Sequence, residues 1–171
     1  HPNYLWDQIA EDRLACSLIA DGHHLPPAVV KTIVRAKTVE RCVLVSDITG
    51  MGGMPPGVYE STAGLGSVEV LEDGRLVVPG QRQLLAGAAL SIGVGIVKVM
   101  EFANLSLESA VNMASLGPAR IIQYRLPKLE VGAKADLVFF DIVDGQFDVV
   151  ATVNAGELVY LKETKDKRDI H

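Results

Sequence analysis

Cysteine is scarce in this sequence: the 171 residues include two, Cys16 and Cys42, each in a short apolar run typical of a buried strand. Two such residues argue against a disulfide framework and favour a reduced, cytoplasmic setting. No apolar run approaches the roughly 20 residues that span a bilayer, so the sequence predicts no membrane segment. The formal net charge is -5 and basic residues form no stripe, which excludes nucleic acid as an expected partner. What is present, 49% hydrophobic and 22% charged residues, suffices for one ordinary globular core.

The first half of the chain has the pattern of a β-α-β unit. Residues 14–20 form an apolar run of strand length, and Pro26-Pro27 then begins an amphipathic helix that continues to Lys37. A second apolar strand, 42–45, follows. Two such strands joined by a helix are expected to be parallel, with their carboxyl ends on the same side of the sheet. The fold class is therefore predicted to be α/β.

Later segments change in character. Residues 50–57 are too rich in glycine and proline for regular structure, and residues 66–79 alternate as a β-hairpin. A long apolar helix is expected from about Ala89, and a second helix is expected to begin after Ser106 as its N-cap. The tail, from about residue 127, predicts a separate unit of three antiparallel strands, 135–140, 149–153 and 157–160.

Two candidate chemical groups follow the two predicted parallel strands. The histidine pair His23-His24 follows the first strand, and Asp47 follows the second. Catalytic groups of parallel α/β folds lie at this end of the sheet, where a carboxylate and an imidazole can move protons or bind substrate. Alternatively, Asp47 is a turn former and the histidines are surface residues. Adjacent residues of an extended segment point to opposite sides, so at most one of the two histidines faces a site.

A complete metal centre is not predicted within this sequence. Zinc requires three or four ligands, and the positions at the strand ends offer one histidine and one aspartate. His1 precedes the fold and His171 is the last residue. We therefore assign no metal ligand to this chain.

Three segments, in this order, resemble the N-acetylglucosamine-6-phosphate deacetylase family of the amidohydrolase superfamily. They are residues 18–25 (LIADGHHL), 43–47 (VLVSD) and 84–90 (LLAGAAL). The resemblance implies that His24 contacts the substrate and that Asp47 moves the proton. It also implies that the turn carrying Leu85, Ala86 and Gly87 contributes three pocket residues.

The same resemblance implies a fold. Residues 1–126 would form the carboxyl-terminal part of a TIM (β/α)8 barrel, comprising its last two strands with their helices and a hairpin insertion at about 66–79. Residues 127–171 would supply strands of a small β-sandwich, since residues 131–138 (VGAKADLV) are similar to the return of an amidohydrolase chain into that domain.

The implied activity is metal-dependent amide hydrolysis, namely deacetylation of N-acetylglucosamine-6-phosphate or a related N-acetyl amino sugar. The family's divalent metal, zinc by expectation, is bound by a glutamate and two histidines that would lie upstream of this sequence. The family's phosphate-binding arginine would fall immediately before His1, so a proteolytic nick or a truncated reading frame would explain this start. We therefore expect the chain alone to be inactive, and to be unstable or associated with a missing N-terminal half. A homodimer is a further expectation, because family members commonly pair.

Two alternative functions stay open. One is a different amidohydrolase, such as an N-acyl amino acid deacylase or a cyclic amidase, because Ala88-Ala89 stands where relatives usually carry serine. The other is a non-catalytic fragment or scaffold subunit, which the missing metal ligands would suit.

Overall fold

The computed structural model describes residues 3–60, 66–126 and 129–163. These residues separate into two units, with the division between Tyr124 and Arg125. The first unit is mixed α/β, and the second is a small antiparallel sheet.

The predicted β-α-β unit is confirmed. A short helix, α1 (Tyr4–Ala10), precedes strand β1 (Cys16–Leu18), helix α2 (Pro27–Lys37) and strand β2 (Cys42–Leu44). β1 and β2 are parallel. Because all three residues of β2 are buried, this strand lies in the interior of the first unit. Proline at the first helical position starts α2, since its missing N–H is one that a helix end would leave unpaired.

Three further helices follow later in the first unit, α3 (Ile92–Ala103), α4 (Leu107–Ala114) and α5 (Leu116–Ile121). The expected N-cap is confirmed, because the Ser106 hydroxyl accepts a hydrogen bond from the Ser109 N–H at 3.2 Å. α3 begins three residues later than the sequence pattern predicts, because Ala88 is held in an extended bridge with Ile48.

The buried side chains of β1, β2 and the helices form the main core of the first unit; among them are Leu18, Val30, Leu44, Val99 and Met113. α2 packs against α3, and α3 against α4. None of the helices in the described ranges has the length and apolar character needed to cross a membrane.

The predicted hairpin is the centre of a larger sheet. Its two strands, β4 (Ser67–Val70) and β5 (Leu76–Val78), lie between β3 (Gly57–Glu60) and β6 (Gln81–Gly87) in a four-stranded antiparallel sheet. The two outer strands were not predicted. β3 is preceded by a glycine- and proline-rich loop, and β6 begins with three exposed polar residues, so neither has the apolar pattern of a buried strand.

One expectation about the site is corrected by this sheet. Leu85, Ala86 and Gly87 do not form a turn; they are the last three residues of β6. Leu85 pairs with Val77 and Gly87 pairs with Leu76, and these pairings to β5 keep the segment extended.

The second unit contains the three predicted antiparallel strands, β7 (Leu137–Val143), β8 (Gln146–Asn154) and β9 (Glu157–Leu161). The rings of Phe140 and Phe147 stack across β7 and β8, with centroids 4.2 Å apart. Residues 127–128 and 164–171 of the predicted tail lie outside the described residues.

We predict that Leu18→Ala lowers the free energy of unfolding of the protein by about 2–5 kcal/mol, because the 2% exposed side chain would leave a cavity between β1 and its neighbours. Urea unfolding followed by circular dichroism measures the change. Leu14→Ala is the matched control: this leucine is 47% exposed, and its loss should cost less than about 1 kcal/mol. Equal losses for the two variants would contradict the core position of Leu18.

Candidate functional site

The two parallel strands deliver the candidate residues to one end of the sheet. Leu18 is paired with Leu44, and the Val45 N–H donates a hydrogen bond to the Leu18 carbonyl at 3.0 Å. Asp21 and Asp47 each lie three residues beyond this pair. The segments that carry His24 and Asp47 therefore leave the sheet at the same end, as the β-α-β pattern predicts.

The third segment, at the end of β6, reaches the loop that carries Asp47. Ile48 forms a parallel bridge with Ala88, and the Thr49 N–H donates to the Ala88 carbonyl at 2.9 Å. Gly87 has φ +135°, and a Cβ added to it would lie 3.0 Å from Cγ2 of Thr49. The residues after β2 and the end of β6 are thus in direct backbone contact. The three segments identified in the sequence, residues 18–25, 43–47 and 84–90, therefore all lie in this part of the first unit.

Asp47 occupies a left-handed backbone conformation, with φ 50°. Aspartate tolerates this region better than most residues, because its short side chain can hydrogen-bond locally. The side chain is exposed, and within the described ranges its carboxylate has no hydrogen-bond or ion-pair partner. A carboxylate in this state is available to a substrate, water or another protein segment.

Asp21 organises the turn that follows β1. This carboxyl group is buried, with 8% exposure. One oxygen, Oδ1, accepts hydrogen bonds from the N–H groups of His23 at 2.9 Å and His24 at 3.0 Å. The other, Oδ2, lies 2.8 Å from Nδ1 of His24. Gly22 completes the turn with φ +87°, a conformation that glycine adopts without steric cost.

Burial disfavours the charged form of Asp21, but its pKa nevertheless lies below the ordinary value. The N–H groups of His24 and His23, and then the His24 ring, stabilise the carboxylate and outweigh that desolvation. Asp21 is therefore a charged group held in place by its own turn.

The two histidines differ in their surroundings. Both are half-buried, but only the ring of His24 is held by a carboxylate among the described residues. Desolvation tends to raise the pKa of Asp73, but the backbone and side chain of Arg75 outweigh it and the pKa is lowered. His23 is close enough to Asp73 to add a smaller lowering. The His24 ring is thus anchored and the His23 ring is not, and which of the two faces a site stays a prediction.

Sequence reasoning missed the role of Asp21. The signal was available, because an aspartate two residues before a backbone N–H is typical of an Asx turn. The local pattern does not show that the same carboxylate also contacts the His24 imidazole, because that contact depends on a side-chain rotamer.

The described residues contain no cluster of three or more histidine, cysteine, aspartate or glutamate side chains that could hold a metal ion. His1 and His171 lie outside the described residues. Since a protein zinc site uses three or four ligands, the residues at this end of the sheet do not fit a complete metal centre.

Comparison with known proteins finds a family match over most of this chain and several similar proteins. A family model for the amidohydrolase family matches residues 7–161. N-acetylglucosamine-6-phosphate deacetylase of Vibrio furnissii is 34% identical over 155 residues, which are 89% of this chain and 36% of the relative. A putative N-acetylgalactosamine-6-phosphate deacetylase of Escherichia coli is 32% identical over 142 residues, 82% of this chain and 81% of the relative.

Solved structures agree with the sequence relatives. The N-acetyl-D-glucosamine-6-phosphate deacetylase of Mycobacterium smegmatis, solved with N-acetyl-D-glucosamine-6-phosphate, matches with a TM-score of 0.78 and 28% identity over 92% of this chain and 40% of its own. The deacetylase of Thermotoga maritima matches with a TM-score of 0.74 and 26% identity, over 91% of this chain and 41% of its own. The chain thus spans well under half of these solved structures.

We predict that Gly87→Ala lowers the free energy of unfolding by about 1–3 kcal/mol, because alanine is strained at φ +135° and its Cβ would crowd Thr49. Thermal or urea unfolding measures the change. Gly95→Ala, in α3, is the matched control: the added Cβ has no contact within 4 Å, so this change should be neutral or stabilising by up to about 1 kcal/mol. A neutral Gly87→Ala would contradict the close approach of the two segments.

We predict that Asp21 contributes acid-dependent stability. Because its folded-state pKa is lowered, the contribution is fully present above the unfolded value of about 4 and is lost as pH falls through the lowered folded value. The difference in unfolding free energy between the native protein and Asp21→Asn should be about 1–3 kcal/mol at pH 7 and shrink below about pH 4. Asp12→Asn, at an exposed position, is a charge-matched control expected to cost less than about 0.5 kcal/mol at pH 7. A difference for Asp21→Asn that did not shrink in acid would contradict the assignment.

Proposed function

The chain belongs to the amidohydrolase family, whose members are hydrolases acting on C–N bonds, and we propose that it forms the substrate-facing, carboxyl-terminal part of a deacetylase for a phosphorylated N-acetyl amino sugar. The observation that carries the proposal is the convergence of three segments, the turn after β1, the loop after β2 and the end of β6, in one part of the first unit. Relatives named as deacetylases of N-acetylglucosamine-6-phosphate and N-acetylgalactosamine-6-phosphate support the substrate class.

In this proposal β1 and β2 are the last two strands of a TIM barrel, and β7, β8 and β9 belong to a β-sandwich. Within the described residues β1 pairs only with β2, which leaves its other edge for a further strand. In the second unit, large apolar side chains on β7 and β9 are more than half exposed, as expected when the rest of a sandwich is absent; they include Val138, Phe139, Val143, Leu158 and Leu161. A missing N-terminal part of the same protein is the proposed partner for the open edge of β1 and for the exposed apolar side chains of the second unit.

Asp47 is proposed as the proton carrier. As water attacks the amide carbonyl, Asp47 accepts its proton and then delivers it to the departing amine, so that acetate and the free amino sugar are released. The exposed, unpaired carboxylate at the strand end supports this role. His24 would bind the substrate, and Leu85, Ala86 and Gly87 would line the pocket from β6, where they are half-buried and beside the Asp47 loop.

Amidohydrolases generally use a divalent metal, and we propose that zinc serves this enzyme. The described residues do not supply enough ligands. The metal is therefore proposed to be held by residues outside this sequence. The roles proposed for Asp47 and His24 do not require either residue to be a metal ligand.

A cytoplasmic location is proposed as well. Cys16 and Cys42 are both free thiols. Burial raises the pKa of Cys42 to about 12, and the neighbouring Cys16 adds to the increase, so this thiol stays protonated and unreactive. Free, unreactive thiols are compatible with a reducing compartment.

Substrate profiling of the protein, expressed from its own gene so that any adjoining segment is present, tests the proposed function. Acetate release is measured with N-acetylglucosamine-6-phosphate, N-acetylgalactosamine-6-phosphate, an N-acetyl amino acid and unphosphorylated N-acetylglucosamine; ring opening of a cyclic amide is followed separately. We expect kcat/KM to be highest for one of the two phosphorylated sugars. Preference for the amino acid or the cyclic amide would replace the proposal with one of the rival activities, and turnover of none would favour the scaffold.

We predict that Asp47→Asn lowers kcat for the preferred substrate by about 10²–10⁴-fold, because the amide cannot carry the proton. Asparagine also tolerates positive φ, so the turn should persist and metal content, measured by mass spectrometry, should be unchanged. Asp12→Asn, an exposed carboxylate outside the three segments, is the control and should retain full turnover. Undiminished turnover of Asp47→Asn would rule out Asp47 as the proton carrier.

A further inference from the structure

The buried carboxylate of Asp21 is tied to both the backbone and the ring of His24. Its Oδ1 atom is fixed by two backbone N–H groups, and its Oδ2 atom is 2.8 Å from the imidazole Nδ1. Two backbone bonds set the side-chain rotamer of Asp21 independently of the ring. The carboxylate is thus a preset acceptor beside one particular nitrogen of His24.

A carboxylate oxygen can accept a hydrogen bond but cannot donate one, and Asp21 is charged because its pKa is lowered. A neutral imidazole carries one proton, on either Nδ1 or Nε2, and the bond made by one nitrogen selects the tautomer. The contact with Asp21 therefore requires the proton on Nδ1. Nε2 is left with a lone pair and has no hydrogen-bond partner among the described residues.

We propose that Asp21 is a positioning residue that fixes the orientation and tautomer of His24, so that neutral His24 presents Nε2 as a hydrogen-bond acceptor to a hydroxyl group of the substrate. The identity of the substrate in this inference rests on the proposed function. The effect of Asp21 on the orientation and tautomer of His24 does not. It adds to the site a residue that touches no substrate. It also defines which substrate group His24 suits, namely a donor such as a sugar hydroxyl.

The neighbouring histidine supplies an internal comparison. Oδ1 of Asp21 binds the backbone N–H of His23 as closely as that of His24, yet only the His24 ring contacts the carboxylate. If Asp21 only stabilised the turn, its bonds to the two backbone N–H groups would be enough, and the position of the proton on either histidine ring would not matter. A positioning role affects one ring selectively.

Asp21→Asn separates these two roles. The asparagine oxygen can still accept from the two backbone N–H groups, so the turn is kept. Its NH2 group would then face Nδ1 and donate to it, which requires the His24 proton to move to Nε2. The same exchange beside a catalytic histidine in serine proteases preserves the geometry and gives the wrong tautomer.

Nitrogen-15 NMR of the histidine rings tests the proposal directly, in the protein labelled at histidine and held at about pH 8.5, where an ordinary imidazole is neutral. Signals are assigned with His23→Gln and His24→Gln variants. In the native protein we expect a protonated Nδ1 and an unprotonated Nε2 for His24, and the reverse in Asp21→Asn, with the His23 signals unchanged. A proton on Nε2 of His24 in the native protein would overturn the proposal without requiring any variant to fold.

Steady-state kinetics of the same variant tests the consequence for binding, with N-acetylglucosamine-6-phosphate and its galactose isomer as probes. We expect Asp21→Asn to raise KM about 10-fold while changing kcat less than about 3-fold, because a binding contact is lost and the proton carrier is untouched. Asp73→Asn, which removes a charge near His23, should leave both constants unchanged.

The outcomes separate this inference from the proposed function. If the native protein hydrolyses neither sugar but His24 carries its proton on Nδ1, the deacetylase assignment fails and the Asp21–His24 arrangement stands. If the tautomer reverses in Asp21→Asn and KM is unchanged, substrate binding through Nε2 is wrong.

Discussion

The parallel pairing of β1 with β2 is the constraint on which the candidate site depends. Each strand has only three residues, and the register aligns Leu18 with Leu44. So short a pair is not held by its own hydrogen bonds; burial of its side chains against the helices supplies most of the driving force. The same burial that stabilises the pair brings the turn of His24 and the loop of Asp47 to one end of the sheet.

Positive backbone angles recur where the chain leaves these strands. Gly22, Asp47 and Gly87 all have φ above zero, one in each of the three segments of the site. Such conformations redirect the chain sharply, and residues outside glycine adopt them at a cost that the surrounding contacts must offset. The bridge between Ile48 and Ala88 is one such contact, since it ties the Asp47 loop to the end of β6. Residues that are far apart in the sequence are thereby held close together in space.

The elements that the sequence predicted correctly are those governed by local pattern. Apolar runs of strand length predicted β1 and β2, and alternating apolar residues predicted the centre of the four-stranded sheet and the three strands of the second unit. Ser106 as an N-cap is equally local, since it depends on an N–H three residues away. The strands that were missed, β3 and β6, have weak patterns of their own and are extended because β4 and β5 lie beside them. The turn expected at Leu85, Ala86 and Gly87 comes from the family resemblance alone, and their pairing with β5 is what keeps these residues extended.

The sequence by itself determined the α/β class, the two parallel strands and the identity of Asp47 and His24 as candidate groups, because periodicity and the resemblance of short segments are properties of neighbouring residues. Only the tertiary structure decided how these groups are arranged. The contact between Asp21 and the His24 ring depends on a side-chain rotamer, and the contact between the Asp47 loop and Ala88 depends on a pairing across forty residues. Such pairings follow from how the whole unit packs, which no local pattern contains.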